Sequence, residues 1–229
     1  MPFAPKNGTI AGRSHPPKLM DTSLLLIRHA ETVWNREGRM QGHQDSPLSE
    51  MGSKQAEALG RRLRPLRFDA VYSSDSQRCL RTARIALDNP NAPLRMKPLL
   101  RERNLGDWEG RLWCEIVDET PENARTYKNS GDFRPPNGET FAELQERVRG
   151  VLLEISDAHR GGSALVFSSG GTIRAAVFSL LNLPAERWAT FATWNTGITR
   201  LDRRDENWRL IRYNDTAHLA GTGESRTMF

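Results

Sequence analysis

Strands alternating with helices along 229 residues predict an α/β protein, a three-layer α/β/α sandwich on a mostly parallel sheet. Three observations carry that expectation. Continuous apolar runs such as Leu24-Leu25-Leu26-Ile27 suit strands buried on both faces of a sheet. Segments with helical apolar spacing separate those runs, the clearest using Phe141, Leu144, Val148, Val151, Leu152 and Ile155. A double glycine, Gly170-Gly171, follows a strand-like run directly, as in a tight strand-to-helix turn.

In chain order, the first strand is Ser23 to Arg28, followed by a polar, Gly- and Asn-containing stretch through Gly42. A helix is expected from about Gly52 to Leu63, a strand at Ala70 to Ser73, and a helix from about Ser76 to Leu87. Leu94 to Lys97 reads as a short strand stopped by Pro98. Irregular chain with short helical patches follows, punctuated by Gly106, Gly110, Pro121, Gly131, Pro135 and Pro136. The strong helix is Glu139 to His159, with Thr140 and Glu143 spaced as a capping box. Ala164 to Ser168 is a buried strand, Thr172 to Leu181 a helix, and strands near Thr196–Leu201 and Trp208–Tyr213 close the fold. One domain over 23–220 is expected, between tails at 1–22 and 221–229. The leading segment, whose only acid is Asp21, also suits an organellar transit peptide, but a tail is the favoured reading.

Composition narrows the function classes. No apolar run is long enough to span a membrane, and no signal-peptide core precedes the first strand. Cys79 and Cys114 are too few for a disulfide framework and lack metal-ligand spacing, which favours a reducing cytoplasm. The net charge of +5 favours an anionic partner. It does not indicate nucleic acid, because no basic block exists; Arg61, Arg62, Arg64 and Arg67 fit the solvated face of a helix end. No metal or other cofactor is called for by any ligand cluster.

In a parallel sheet, ligands bind beyond the carboxyl ends of the strands. Arg28 and His29 end the first strand, Ser73, Ser74 and Arg78 follow the second, and Ser168, Ser169 and Gly170 follow the strand at 164–168. A glycine-opened helix presents unpaired amides and the positive end of a dipole. Read from the residues alone, this is a pocket for a phosphate-sized dianion.

The motifs then point further. LIRHAETVWN (Leu26–Asn35) resembles the signature of the histidine phosphatase superfamily, which includes the phosphoglycerate mutases. The resemblance continues through Gln41–Ala56, Val71–Ala83, Leu99–Gly110, Asn137–Val148 and Asn214–Leu219, nearly the whole chain outside the tails. It implies the phosphoglycerate mutase-like fold and phosphoryl transfer through a phosphohistidine on His29. Arg28 and Arg78 would grip the equatorial oxygens, Asn35 would add a neutral donor, and Gly170 an amide. Glu102 would be the general acid and later the base, with Asp107 and Glu109 as competitors. Arg81, His15 and His159 are expected to face solvent, and Glu139 to be a first-turn helix acid. Trp34, Trp108, Trp113 and Trp194 read as core or rim, with Trp108 near enough to Glu102 in the chain to line the pocket. His43 and His218 lie in family-like blocks without a derived role.

One departure stands out. Most active members read Ser-His-Gly where this chain reads Ser168-Ser169-Gly170, so a charged transition-state donor is replaced by at most one neutral hydroxyl. Loss of one such donor costs about 10²–10³ in rate. His218 is a candidate to make up the charge. The compact RERNLGDWEG segment, shorter than in the mutases, favours a metal-independent phosphatase acting on a small anionic phosphorylated metabolite. A mutase and a catalytically weak phosphate-binding or regulatory member remain the alternatives. Neither the natural substrate nor the oligomeric state is legible.

Overall fold

The computed structural model describes residues 21–130 and 133–222. The expected tails therefore lie outside the described residues, except for Asp21, Thr22, Gly221 and Thr222. Six strands form one sheet: β1 (Thr22–Arg28), β2 (Ala70–Ser73), β3 (Arg95–Met96), β4 (Ser163–Ser168), β5 (Ile198–Arg204) and β6 (Asn207–Asp215). Their order is β3-β2-β4-β1-β5-β6, with β1 to β4 mutually parallel and the β5–β6 hairpin antiparallel at one edge. The three-layer prediction holds.

Alternation along β1 divides the core. Leu24 and Leu26 face a cluster with α6 (Phe141–Ala158) and α7 (Gly170–Leu180). Leu25 and Ile27 face the other side, against α2 (Glu50–Leu63) and α3 (Gln77–Ala86). All six apolar residues predicted for α6 are buried. At its start Thr140 Oγ1 accepts the Glu143 amide at 3.1 Å while Glu143 accepts the Thr140 amide at 2.8 Å, the reciprocal cap read from the sequence. α2 begins two residues before the predicted start, because Ser49 caps it by accepting the Gly52 amide. Gly52 itself is required by packing: a Cβ there would sit 2.0 Å from the Glu31 carbonyl oxygen.

Two regions exceed the sequence reading. The polar stretch after β1 holds a one-turn helix, α1 (Val33–Glu37), capped by Thr32. The irregular region contains α4 (Trp113–Glu119) and α5 (Pro121–Ser130), which enclose a small separate core of Met40, Leu105, Trp108, Ile116 and Ala124. Among the described residues no helix is long and apolar enough to cross a membrane.

Candidate active site

The sheet register brings the predicted strand ends together. Arg28 is paired with Ser168, and Ser73 with Phe167, so three parallel strands finish side by side. The His29 amide donates to the Ser168 carbonyl at 2.9 Å, extending the ladder one residue beyond β1. His29 is buried, and its Nδ1 lies 2.8 Å from the Ala30 carbonyl oxygen. A carbonyl only accepts, so Nδ1 carries the proton and Nε2 the lone pair. Burial, reinforced by the charges of Arg78 and Arg28, holds the imidazole pKa well below its ordinary value. The ring is held neutral, with its Nε2 lone pair free of the proton.

Arg28 and Arg78 are buried cations at the base of the same cavity. Burial pulls Arg28 down to about 10, and its Nη1 donates to the Thr193 carbonyl. Arg78 is fixed from α3 by the loop after Met40: Nη2 donates to Gly42 O at 2.7 Å, and Nη1 to Gln44 O and Asp45 Oδ1 at 2.6 and 2.7 Å. Asn35, on α1, is oriented by two donors to its Oδ1, the Thr32 amide at 3.3 Å and Asn195 Nδ2 at 3.2 Å. Asn195 also donates to the His29 carbonyl at 3.0 Å, so one side chain aligns both residues. Nothing in the sequence patterns marked Asn195.

Glu102 reaches the first turn of α7. Its Oε2 accepts the Gly171 amide at 2.8 Å and its Oε1 the Arg103 amide at 2.7 Å. Only glycine allows this approach, since a Cβ at 171 would lie 2.2 Å from Glu102 Oε1. The competing acids do other work. Glu109 braces the amides of His43, Gln44 and Leu105, and Asp107 accepts from Asn137. Neither lines the cavity; Glu102 is the carboxylate that does.

Arg28, His29, Asn35, Arg78, Glu102, Gly170 and Gly171 thus share one cavity of about 230 Å³. Ser169 does not: it is fully buried as the residue before α7, with its hydroxyl beside the Cys79 thiol, whose pKa burial raises. His218 is not on the cavity wall either. Its Nε2 lies 3.0 Å from Thr196 Oγ1, and burial lowers its pKa to about 4, so it supplies no positive charge at neutral pH. His43 donates from Nε2 to the Glu102 carbonyl at 3.0 Å.

Several expectations are corrected. Trp108 is core, as read, stacked on Phe133 at 5.1 Å between centroids, but it does not line the cavity beside Glu102; Trp113 does. Glu139 precedes the N-cap of α6 and forms an ion pair with Arg147 rather than facing the helix dipole. His159 contacts the Tyr72 hydroxyl at 3.0 Å rather than solvent alone, whereas Arg81 is exposed as expected. His15 lies outside the described residues. The cavity also recruits Gln41, Arg103 and Arg174, which the sequence reading passed over. Gln41 and Arg103 stand inside the quoted motif blocks, and Arg174 lies one helical turn after Gly170, the signals that could have marked them.

A neutral, fixed imidazole among buried arginines at the carboxyl edge of a parallel sheet defines a phosphoryl-transfer protein that uses histidine as nucleophile. Comparison with known proteins agrees. Residues 24–216 match the histidine phosphatase superfamily (branch 1). The chain is 33% identical over 209 residues to a metal-independent phosphoserine phosphatase of Arabidopsis thaliana, covering 88% of this chain and 85% of that protein. It is 35% identical over 186 residues to a probable phosphoglycerate mutase GpmB of Enterobacter sp. (strain 638), covering 81% and 86% respectively. Among solved structures it resembles Bacillus stearothermophilus YhfR, with a TM-score of 0.82 at 32% identity over 86% of this chain and 99% of that one. A mycobacterial glucosyl-3-phosphoglycerate phosphatase solved with VO3 gives a TM-score of 0.78 at 29% identity, over 84% and 98%. The chain belongs to the histidine phosphatase superfamily, whose typical chemistry passes through a phosphohistidine, and it is a phosphoric monoester hydrolase of that type.

Proposed function

We propose that the domain, residues 23–220, hydrolyses a small phosphomonoester in two displacements centred on His29. The observation that carries this reading is the Nδ1 contact to Ala30, which leaves the Nε2 lone pair on a ring kept neutral by burial. In the first step Nε2 attacks phosphorus, the bond to the ester oxygen breaks, and Glu102 gives its proton to that oxygen. In the second, Glu102 takes a proton from water, which attacks the phosphohistidine and releases phosphate and His29. Arg28, Arg78, Asn35 and the first amide of α7 stabilise the charge spread over the equatorial oxygens. This arrangement supplies the charge through guanidinium groups, and no step calls on a metal. Two unpaired thiols, Cys79 buried and Cys114 exposed, fit a reducing cytoplasm.

Relatives named as phosphatases and as mutases both resemble this chain, and the compact segment carrying Glu102 supports hydrolysis over transfer. Ser169 in place of the usual imidazole favours one second reading, a phosphate-binding member with weak turnover. A panel of phosphomonoesters assayed in EDTA tests the choice. Phosphate release from at least one small substrate, without interconversion of 2- and 3-phosphoglycerate, is the expected result. Interconversion faster than release would contradict it, and saturable binding without release would select the second reading.

A further inference from the structure

The cavity holds more positive charge than one phosphoryl group needs. Its wall includes Arg28, Arg39, Arg78, Arg103, Lys128 and Arg174 but a single carboxylate, Glu102; Arg39 is paired with Glu37. Arg28 and Arg78 belong to the phosphate cradle, and Arg78 is in addition balanced by Asp45. Arg103 and Arg174 have no ion-pair partner among the described residues. Arg103 is buried: it donates to the carbonyls of Glu139 and Phe133, and its Nη1 is enclosed without a hydrogen-bond partner. Arg174 Nε is likewise enclosed and unpartnered.

Each of these guanidinium groups is backed by a ring. Arg103 lies over Tyr127 at 4.9 Å and Arg174 over Trp188 at 4.3 Å, and the two rings meet edge to face at 5.6 Å. Stacking fixes a guanidinium plane and leaves its N–H edge for a ligand, while limiting the entropy lost on binding. Arg103 is buried and Arg174 half-buried, close enough for their charges to repel, and an anion placed between them relieves the repulsion. Such groups stay buried without partners only at a cost, which a bound anion removes.

We infer that Arg103 and Arg174 form a second anion subsite, which selects phosphomonoesters whose alcohol portion carries a carboxylate or a further phosphate. The inference rests on the phosphatase reading and deepens it. Glu102 fixes which part of the substrate carries the second charge. Its carboxylate is held between the Arg103 amide and the first turn of α7, and Arg174 follows on the next turn of that helix. The proton donor to the leaving oxygen therefore borders the second subsite, so the additional anion belongs to the leaving group. Phe141, Phe191 and Trp113 add an apolar part to a wall that also carries Arg39, Gln41 and Lys128.

The test compares matched substrates in the full chain. Glycerol 3-phosphate against 3-phosphoglycerate isolates the carboxylate, and fructose 6-phosphate against fructose 1,6-bisphosphate isolates the second phosphate. p-Nitrophenyl phosphate is the reference. In one pair the anionic member should show a kcat/KM about tenfold higher or more, the value of one charge-assisted hydrogen bond. Arg174→Gln should bring that ratio toward one, and Arg174→Lys should restore part of it. Ratios near one in both pairs, with the reference turned over, would overturn the subsite while leaving the hydrolase intact. No turnover of any compound would instead overturn the hydrolase reading; tryptophan quenching by the same pairs then decides the subsite through the ratio of their Kd values. Should Arg174→Gln fail to fold by thermal melting, the wild-type ratio decides alone.

Discussion

The behaviour of His29 follows from one contact and one environment. The Ala30 carbonyl fixes the tautomer, and burial beside Arg28 and Arg78 disfavours the protonated ring. Because the folded pKa lies below the unfolded one, the unfolded chain binds this proton more readily. The contribution to stability is therefore complete above about pH 6.5 and is lost as pH falls from there toward the folded pKa. In an NMR titration the His29 ring, assigned by comparison with His29→Ala, should keep its neutral-form shifts from pH 8 down to 5.5. A midpoint near 6.5 would contradict the electrostatic account. The proposed nucleophile could be named from the sequence because Arg28, His29, Glu31 and Thr32 stand in one motif. The identity of residue 169 was legible too, but its place was not. Whether a side chain reaches the cavity depends on how β4 hands over to α7, and here Gly170 and Gly171 form that part of the wall.

Elements position what residues perform. Glu102 has no helix or strand of its own, and its segment is held from outside by Arg147 on α6. Arg147 donates from Nη2 to the Glu102 carbonyl at 2.8 Å and from Nη1 to the carbonyls of Arg101 and Leu99. The Glu139 carboxylate orients Arg147 and also accepts the Asn104 amide. Arg147 is thus placed to position Glu102, the proposed proton donor. Arg147→Met should slow alkyl phosphates, which need a proton on departure, about tenfold more than aryl phosphates, whose phenols leave unaided. Glu102→Gln should show the same bias more strongly. An equal loss on both substrate types would assign Arg147 a purely structural role. None of this bracing was visible in the sequence, since a surface-patterned arginine on a helix gives no hint that it spans 45 residues to a loop. The buried faces of β1, β4 and α6 were visible, because periodicity reports burial directly. α4 and α5 were expected only as short helical patches without bounds, because they pack around Trp108 in a small core separate from the sheet.

At the scale of the whole molecule, the fold is a device for bringing distant segments to one edge. The parallel order β2-β4-β1 sets residues 28, 73 and 168 side by side, and the crossover helices pack on both faces of the sheet. That convergence was expected from the strand ends alone, before any motif was considered. The proposed second subsite was hidden because Arg103, Tyr127, Arg174 and Trp188 come from four separate segments of the chain. The account rests on a covalent intermediate at the end of β1. The measurement that tests it most directly is brief exposure to a ³²P-labelled phosphomonoester that the enzyme turns over, followed by quenching and digestion. The label should be acid-labile and base-stable, map to the peptide containing His29, and vanish in His29→Ala. Label on another residue, or undiminished label in that variant, would contradict it.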